Sequence, residues 1–595
     1  MREELQENTM TGSESIIEKQ KEKIRQQKEQ LKRHEETWRM YNKIVFTLCT
    51  LLGSVFAIYV GGWIMFAKSI FGTYEAYLAG TLTVSYLIKA AIKCVMAATA
   101  AGAIWCGGYI LGRKLDHIDA DICHALYGCV QGRFLYYGEI QKKKGVKMEK
   151  ERDNFYKKVL ILVLPMALQN LINVGVSATD VMMLGAVGEK VLSGCSLGGQ
   201  VFWILSLFLF GAASGGSVLV AQYWGKRDTK AIEKIMGIAI LFTEIVAVLF
   251  MVLSLFFPEQ IMAVYTNDPE VAAEGVKYMQ ILAFTYPIAA YTMTYLNLLK
   301  SVEKVVISTV VYASSLGLNV IVNAIFIYGL FGAPALGVRG AAIGTLSARC
   351  LELVIVIFYS RYRCKEVRVH PGMIFHPDKI LTKDFFYYAY PVIINEVLWG
   401  VGYSANTAIM GRLGSSAVAA NSVAQVIRQL SMVVGFGVSN AAAILIGKAI
   451  GEKREELAED YAKKFIWLSV VCGVAGSLVV LLIRPFIVGI LGFEGMSAVY
   501  LSNFLIIMSY YVIGQALNST MVVGIFRSGG DTKFGMILDM TSMWCCSILL
   551  GAVAAFVLKL PVTAVYVILL SDEIIKLPFC FFRYRQKKWL NDVTR

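Results

Sequence analysis

Charged residues are scarce in this chain. Asp, Glu, Lys and Arg make up 17% of its 595 residues, whereas a soluble protein carries about 25%. Hydrophobic residues supply 56% of the sequence, in long runs such as 235–257, 468–483 and 536–558. About 20 consecutive apolar residues cross the hydrocarbon core of a bilayer, and we find about fourteen such runs. They predict an all-α polytopic membrane protein, without the short alternating segments of an outer-membrane barrel.

Several motifs of catalysis and metal binding are missing as well. The sequence contains no G-x-x-x-x-G-K-[ST] phosphate loop and no H-E-x-x-H pair, and its 12 cysteines include no C-x-x-C pair. A segment with metal-ligand residue types, 116–129, fits no zinc spacing. We therefore predict that the chain is not an enzyme, has no organic cofactor or metal site, and has no disulfide framework. Energy for any transport would then come from an ion gradient or from a partner.

Positive charge exceeds negative charge by 14, which suggests nucleic acid as a partner. The cations are, however, concentrated in alternate loops between the apolar runs. Residues 1–43 hold ten Lys and Arg and residues 113–158 hold eleven, whereas the intervening loops hold about one each. This alternation follows the positive-inside rule. It predicts a multi-pass plasma-membrane protein with both termini in the cytoplasm and no nucleic-acid partner.

The hydrophobic body contains an internal duplication with an offset of 226 residues. The segment from Pro165 to Asn170 returns from Pro391 to Glu396, and Gln222–Gly225 returns as Lys448–Gly451. Duplication within a membrane protein is typical of two lobes with a pathway between them. With six spans per repeat, both lobes enter the membrane in the same direction, so their symmetry axis runs along the membrane normal. The repeat therefore indicates a transporter.

These patterns divide the chain into six parts. We predict a charged cytoplasmic helix, an additional two-span hairpin, a basic cytoplasmic linker, a first lobe of six spans, an inter-lobe cytoplasmic loop, and a second lobe of six spans with a basic tail. Their respective bounds are 1–43, 44–112, 113–155, 156–364, 365–384 and 385–595.

Three segments carry a resemblance to a known family. The chain resembles the multidrug and toxin extrusion (MATE) transporters over residues 156–586, in the first helix, in the fifth and sixth helices, and in the loop after the tenth. The matching segments are Pro165–Gly188 with Asp180, Asn319–Thr345, and Arg527–Thr532. The resemblance implies a V-shaped fold of twelve helices that exports organic cations in exchange for H⁺ or Na⁺.

One acid and three polar residues in the first lobe form a candidate cation site. At a rise of 1.5 Å per residue, Asp180, Asn323 and Thr345 lie at a similar depth from their nearest external loops. Asn319 precedes Asn323 by four positions, so both share one helix face. The four side chains could bind Na⁺, or Asp180 could carry a proton, because an acid inside a span is usually functional. The alternative is that Asp180 caps a helix end or makes a structural pair.

A second candidate site lies in the other lobe. Glu396 lies near the middle of its span, and the repeat aligns it with Asn170, while Asp180 aligns with Asn406. Arg428 in the next span could neutralise Glu396. Coupling in this lobe would therefore use Glu396, Arg428 and Asn406, unless Glu396 and Arg428 form a structural pair.

Aromatic residues at helical spacing form a candidate substrate cleft. A cationic drug could contact such a wall through cation–π interactions, although packing between helices is the plainer interpretation. The residues are Tyr291, Tyr295, Trp399 and Tyr403.

The main hypothesis is a cation-coupled antiporter whose partners are small organic cations and membrane lipids. One alternative is a flippase for lipid-linked sugars or polysaccharides, which a cleft lined by several cations would favour. Another is a membrane scaffold with vestigial transport, in which residues 1–150 recruit a partner. The coupling ion, Na⁺ or H⁺, is left open by the sequence.

Overall fold

The computed structural model describes residues 155–364, 366–368, 371–375, 377–490 and 495–595. The predictions for the charged helix, the additional hairpin and nearly all of the linker lie outside these residues. Within the described part, the chain consists of helices and connecting loops. The prediction of an all-α membrane protein is confirmed.

The first lobe contains eight helices. They are α1 (Phe155–Gly185), α2 (Glu189–Lys226), α3 (Thr229–Phe256), α4 (Pro258–Tyr265), α5 (Pro269–Leu282), α6 (Thr285–Ser301), α7 (Val306–Tyr328) and α8 (Val338–Phe358). Helix α8 continues into a wider π-helical turn, Tyr359–Arg363.

The second lobe follows the short helix α9 (Pro371–Phe375). Its helices are α10 (Lys379–Arg412), α11 (Ser415–Gly451), α12 (Glu455–Ile490), α13 (Gly495–Ser519), α14 (Thr532–Thr541), α15 (Leu550–Ala552), α16 (Val562–Leu569) and α17 (Asp572–Arg585). Wider π-helical segments continue α13 and α14 and follow α15; they are Thr520–Phe526, Ser542–Leu549 and Val553–Val557.

Nine helices of the described part are long and apolar enough to cross a membrane without interruption. Three further segments complete six crossings per lobe: the pair α5–α6, the helix α10 and the pair α16–α17. Both pairs are interrupted helices, which are tolerated in a membrane where other groups satisfy the freed backbone. At the second interruption, the Ser547 hydroxyl donates to the carbonyl of Leu569 over 2.5 Å. The interruption is therefore stabilised from the neighbouring helix segment.

The duplication is visible in how the lobes meet. A Cβ added to Gly225 would strike the carbonyl oxygen of Lys448, and one added to Gly451 would strike that of Gln222. These two contacts exchange under the 226-residue offset, because Gln222 corresponds to Lys448 and Gly225 to Gly451. Small residues allow the backbones of α2 and α11 to approach this closely. The two lobes are therefore related by a pseudo-two-fold axis, as the repeat predicts.

The lobes are joined at one end of the bundle, which we call the basic end; Lys226 and Lys448 lie there. Lys448 Nζ forms an ion pair with Glu303 Oε1 across the lobes at 2.9 Å. Residues 586–595, here called the tail, add a second connection: Val593 N–H donates to Gln222 Oε1 over 2.8 Å. Trp589 within the tail is 1% exposed. The basic end is thus closed by side-chain and backbone contacts between the lobes.

One segment of α2 has a sequence that matches a hydrolase motif. Gly194–Gly198 fits the G-x-S-x-G spacing, which in hydrolases occupies a sharp turn between a strand and a helix. Here it lies inside the continuous helix α2. Both glycines pack against the backbone of Gly275 on α5. The match reflects helix packing and not a nucleophile.

Candidate functional site

Three of the predicted first-lobe residues are linked by hydrogen bonds. Asn323 Nδ2 on α7 donates to Asp180 Oδ1 on α1 over 2.8 Å and also to Asn319 Oδ1 over 3.2 Å. Asn323 is 0% exposed, and among the described residues no group donates a hydrogen bond to its Oδ1. Asp180 lies inside α1, which continues to Gly185, so it is not a helix cap. The arrangement places one carboxylate beside a buried acceptor that lacks a donor.

Thr345 joins this group from α8. Its hydroxyl donates to the carbonyl of Ala341 over 3.1 Å. The neighbouring Gly344 touches Asn323 so closely that an added Cβ would overlap Asn323 Oδ1. We call Asp180, Asn319, Asn323 and Thr345 the first-lobe cluster. Hydrogen bonds link the first three residues, and Thr345 follows Gly344, which contacts Asn323.

The second-lobe prediction needs a correction. Glu396 Oε1 pairs with Arg527 Nη2 at 2.8 Å, and both side chains are largely buried. Arg428 instead binds Gln425 Oε1 over 2.7 Å and Gln515 Oε1 over 3.2 Å. The predicted pair of Glu396 and Arg428 is therefore wrong, because α11 directs Arg428 towards α13 and away from Glu396. The buried ion pair joins α10 to the loop after α13.

Arg428 lines a cavity inside the second lobe, with an empty volume of ≈ 560 Å³. Asn406, Trp399 and Tyr403 line the same cavity, and the two aromatic rings stack with centroids 5.9 Å apart. Asn406 Oδ1 is buried and accepts no hydrogen bond within the described residues. We call this the second-lobe cavity, in which four of the predicted residues meet.

The two tyrosines of the first lobe do not meet this aromatic pair. Tyr291 and Tyr295 stack on each other with centroids 6.2 Å apart. Tyr295 is 0% exposed and belongs to the hydrophobic core of the first lobe. Helical spacing correctly predicted that Tyr295 lies beside Tyr291, but this face of α6 packs into the core. Tyr295 therefore does not line a cleft.

A further cavity lies between the lobes and has an empty volume of ≈ 580 Å³. Its walls include Ser214, Asn297 and Lys300 from the first lobe and Asn440 and Arg527 from the second. Lys300 Nζ donates to Asn297 Oδ1 over 3.1 Å. We call this the inter-lobe cavity; it carries two cationic side chains.

Sequence reasoning missed Lys300 and Arg527 as cavity residues. Both stand at the ends of apolar runs, where the positive-inside rule accounts for them as loop cations. For Arg527 a signal was available, because it opens the Arg527–Thr532 segment that resembles the family's loop after helix ten. For Lys300 the spacing to Asn297 allows a contact along the helix but does not reveal a cavity.

The fold and the clusters together define a class: a duplicated, two-lobe helical membrane transporter with polar groups inside each lobe. The MatE family model matches residues 165–325 and 391–577, which together exceed half of the chain. The chain therefore belongs to the MatE family. The two matched segments begin at Pro165 and Pro391, the positions where the two repeats begin.

Relatives and solved structures agree with this assignment. Thermotoga maritima NorM, named a probable multidrug resistance protein, is 22% identical over 73% of this chain and 93% of its own. The uncharacterized transporter YisQ of Bacillus subtilis is 20% identical over 69% of this chain and 90% of its own.

Two solved structures show the same fold. A MOP superfamily transporter from Pyrococcus furiosus, described as having a binding pocket of reverse polarity, has a TM-score of 0.66 at 18% identity. It aligns over 72% of this chain and 95% of that one. A multidrug resistance MATE family transporter in an outward-facing conformation has a TM-score of 0.64 at 17% identity, over 72% and 95%.

Proposed function

We propose that this protein is a secondary active antiporter that exports amphipathic organic cations in exchange for Na⁺ or H⁺ by alternating access. The first-lobe cluster is the observation that carries the proposal. A carboxylate inside a membrane helix is expensive and is usually functional, and Asp180 has amide and hydroxyl groups around it. Neutralising this carboxylate with a proton or Na⁺ would lower its cost within the lobe.

The cycle follows from competition between two states of the lobes. The closed basic end, with its ion pair and tail contacts, corresponds to one state. Ion binding at Asp180 would favour one lobe arrangement and drug binding would favour the other, so each ligand would weaken the other by the same factor. Rocking of the lobes about the pseudo-two-fold axis would then alternate access. In this proposal the basic end faces the cytoplasm.

Reconstituted vesicles test the proposal directly. The full-length protein is loaded into liposomes with a fluorescent cationic dye, and either a pH gradient or a Na⁺ gradient is imposed. We expect gradient-driven dye movement, and its loss in Asp180→Asn while the protein remains folded. Glu189→Gln, an exposed acid at the start of α2, is the matched control. Wild-type dye movement in Asp180→Asn would remove Asp180 from the coupling site.

A second candidate function is supported by the inter-lobe cavity. Lys300 and Arg527 line it. Arg527 is paired with Glu396, so Lys300 would be the cation that binds an anionic substrate such as a lipid-linked sugar. Lys300→Gln separates the two functions. Under the antiporter proposal, this substitution retains or increases movement of a cationic dye, because a repelling charge is removed. Under the flippase alternative, the dye is not moved, and binding of an anionic amphiphile weakens in Lys300→Gln.

We also propose the domain organisation predicted from the sequence, with a plasma-membrane location and both termini in the cytoplasm. Residues 1–150 would then be an addition to a complete transport unit. The scaffold alternative makes the opposite prediction. Deleting residues 1–150 and measuring dye movement distinguishes the two hypotheses. Dye movement that is retained in the deletion variant supports an addition to a transport unit. The scaffold alternative is supported if the full-length protein moves no dye and the deletion variant no longer recruits a partner.

A further inference from the structure

A group of charges in the second lobe lies beside the second-lobe cavity, whose wall includes Asp572. Lys576 Nζ contacts three carboxylates: Asp572 at 3.1 Å, Asp539 at 3.3 Å and Glu573 at 3.4 Å. We call these four residues the lysine cluster. Lys576, Asp572 and Glu573 are 4%, 5% and 7% exposed. These three residues are therefore buried, whereas the Asp539 side chain is 18% exposed.

The charges of the lysine cluster do not balance. Three ionised carboxylates around one ammonium leave two negative charges in excess. Asp572 and Glu573 stand in the first turn of α17, whose N-terminal dipole supplies the equivalent of only about half a positive charge. A buried charge without compensation is strongly unfavourable. Uptake of a proton by one or more of the carboxylates would remove this excess.

Two buried asparagine amides donate hydrogen bonds to carboxylates of the lysine cluster. Asn518 Nδ2 donates to Glu573 Oε2 over 2.7 Å, and Asn395 Nδ2 donates to Asp539 Oδ2 over 3.1 Å. The Oδ1 atoms of both asparagines are buried and accept no hydrogen bond in the described structure. Asn518 and Asn395 are 3% and 5% exposed. Each carboxylate thus adjoins an amide oxygen that lacks a donor, and a protonated carboxyl group would supply one.

The geometry favours protons over a metal ion. Among the described residues, no three His, Cys, Asp or Glu side chains lie close enough to hold a metal ion. The Lys576 ammonium already lies between the carboxylates and would repel a second cation. Asp180 and Asn323 in the first lobe show the same acid–amide pairing, with Asn323 Oδ1 also lacking a donor. The motif therefore recurs at unrelated positions of the two lobes.

Access to the cluster is available through the second-lobe cavity, because Asp572 lines its wall. Other charged or titratable groups also face the cluster or the cavity. They are Glu396 on α10, Arg428 on α11, Tyr511 on α13 and Cys580 on α17. Arg428 is occupied by Gln425 and Gln515 and forms no ion pair among the described residues.

We propose that the lysine cluster is a second proton-binding site, in which Asp539 and Glu573 take up protons that enter through the second-lobe cavity. The step is a simple association: a proton from water adds to a carboxylate oxygen, and the new O–H donates to the adjacent amide oxygen. Asp572 then remains as the ionised partner of Lys576.

Infrared titration of the purified full-length protein tests this. The C=O stretch of protonated carboxyl groups is recorded from mildly alkaline to mildly acidic pH, without substrate. The double substitution Asp539→Asn with Glu573→Gln mimics the protonated state and leaves the Asp572–Lys576 pair. We expect it to remove part of the wild-type band. Glu352→Gln is the matched control, because this buried carboxylate has its own partner, Arg349, at 2.8 Å.

An identical band in the wild type and the double variant would overturn the proposal. Should the double variant fail to fold, Lys576→Met provides the second measurement. Removing the only ammonium should enlarge the band at a given pH, because more protons are then needed; an unchanged band would again overturn the proposal. Since no transport is measured, a failure of the antiporter proposal leaves this result unaffected.

Discussion

Gly344 allows the first-lobe cluster to be tested without replacing any of its side chains. A Cβ at this position would overlap Asn323 Oδ1 and lie 2.8 Å from Asn323 Cγ and 3.2 Å from Asn323 N. Gly344→Ala therefore forces the Asn323 side chain away from α8. That movement breaks the 2.8 Å hydrogen bond from Asn323 to Asp180.

The effect of Gly344→Ala on the stability of the fold has two opposing contributions. Overpacking of this kind costs about 1–3 kcal/mol, whereas alanine in place of a helical glycine gains up to about 1 kcal/mol. Losing a hydrogen bond to a charged group costs about 1.5–3 kcal/mol. We therefore expect modest destabilisation of the fold and roughly a tenfold change in affinity for the coupling ion. Na⁺ should bind more weakly because an amide ligand moves away, whereas H⁺ should bind more tightly because the lost hydrogen bond stabilised the ionised carboxylate.

The assay is dye movement in liposomes at increasing concentrations of the driving ion, together with the melting temperature. Gly344→Ala should need about tenfold more Na⁺ for half-maximal transport if Na⁺ is the driving ion, and about tenfold less H⁺ if protons are. Gly199→Ala is the control, because no atom lies within 4 Å of its added Cβ. If Gly344→Ala matches the wild type in ion dependence, then the Asp180–Asn323 contact has no part in coupling.

Three other perturbations follow from the structure. Arg527→Gln leaves Glu396 buried without its partner and should cost about 3–5 kcal/mol, measured as a fall in melting temperature that Glu396→Gln in the same protein partly reverses. Trp589→Ala removes the buried anchor of the tail and should cost about 3–5 kcal/mol, measured as a fall in melting temperature; an unchanged melting temperature would show that Trp589 does not hold the tail in place. A hydrogen bond from Lys234 lowers the pKa of Asp378 in the connection before α10. Its stabilisation is therefore present above the unfolded pKa and lost as pH falls through the lower folded value, so Asp378→Asn should flatten the melting temperature at acid pH, and an unaltered acid limb would contradict this assignment.

Local spacing was sufficient for the parts of the site that lie on one helix or in one repeat. Asn319 and Asn323 share a face of α7 because they stand four positions apart, and both indeed meet one another. Arg349 and Glu352, three positions apart on α8, form an ion pair at 2.8 Å for the same reason. Such contacts depend on helical geometry alone, which the sequence specifies.

Contacts between distant helices were not predictable in the same way. Glu396 pairs with Arg527 instead of Arg428, because the rotation of α10, α11 and α13 about their axes decides which side chains face each other. The lysine cluster likewise joins α14 to α17, and its carboxylates accept hydrogen bonds from amides on α10 and α13. For Tyr295 the helical spacing correctly predicted a contact with Tyr291, but the structure buries Tyr295 in the core instead of a substrate cleft.

The sequence by itself determined the membrane class, the duplication and the family, because these follow from apolar run length and from a repeat that needs no packing information. It also predicted that Asp180 and Asn323 lie at a similar depth in the membrane. The tertiary structure alone decided which charges balance each other: Lys300 and Arg527 line one cavity, and Lys576 faces three acids. The physical reason is that the cost of a buried charge depends on its neighbours in space, and those neighbours come from helices that are distant along the chain.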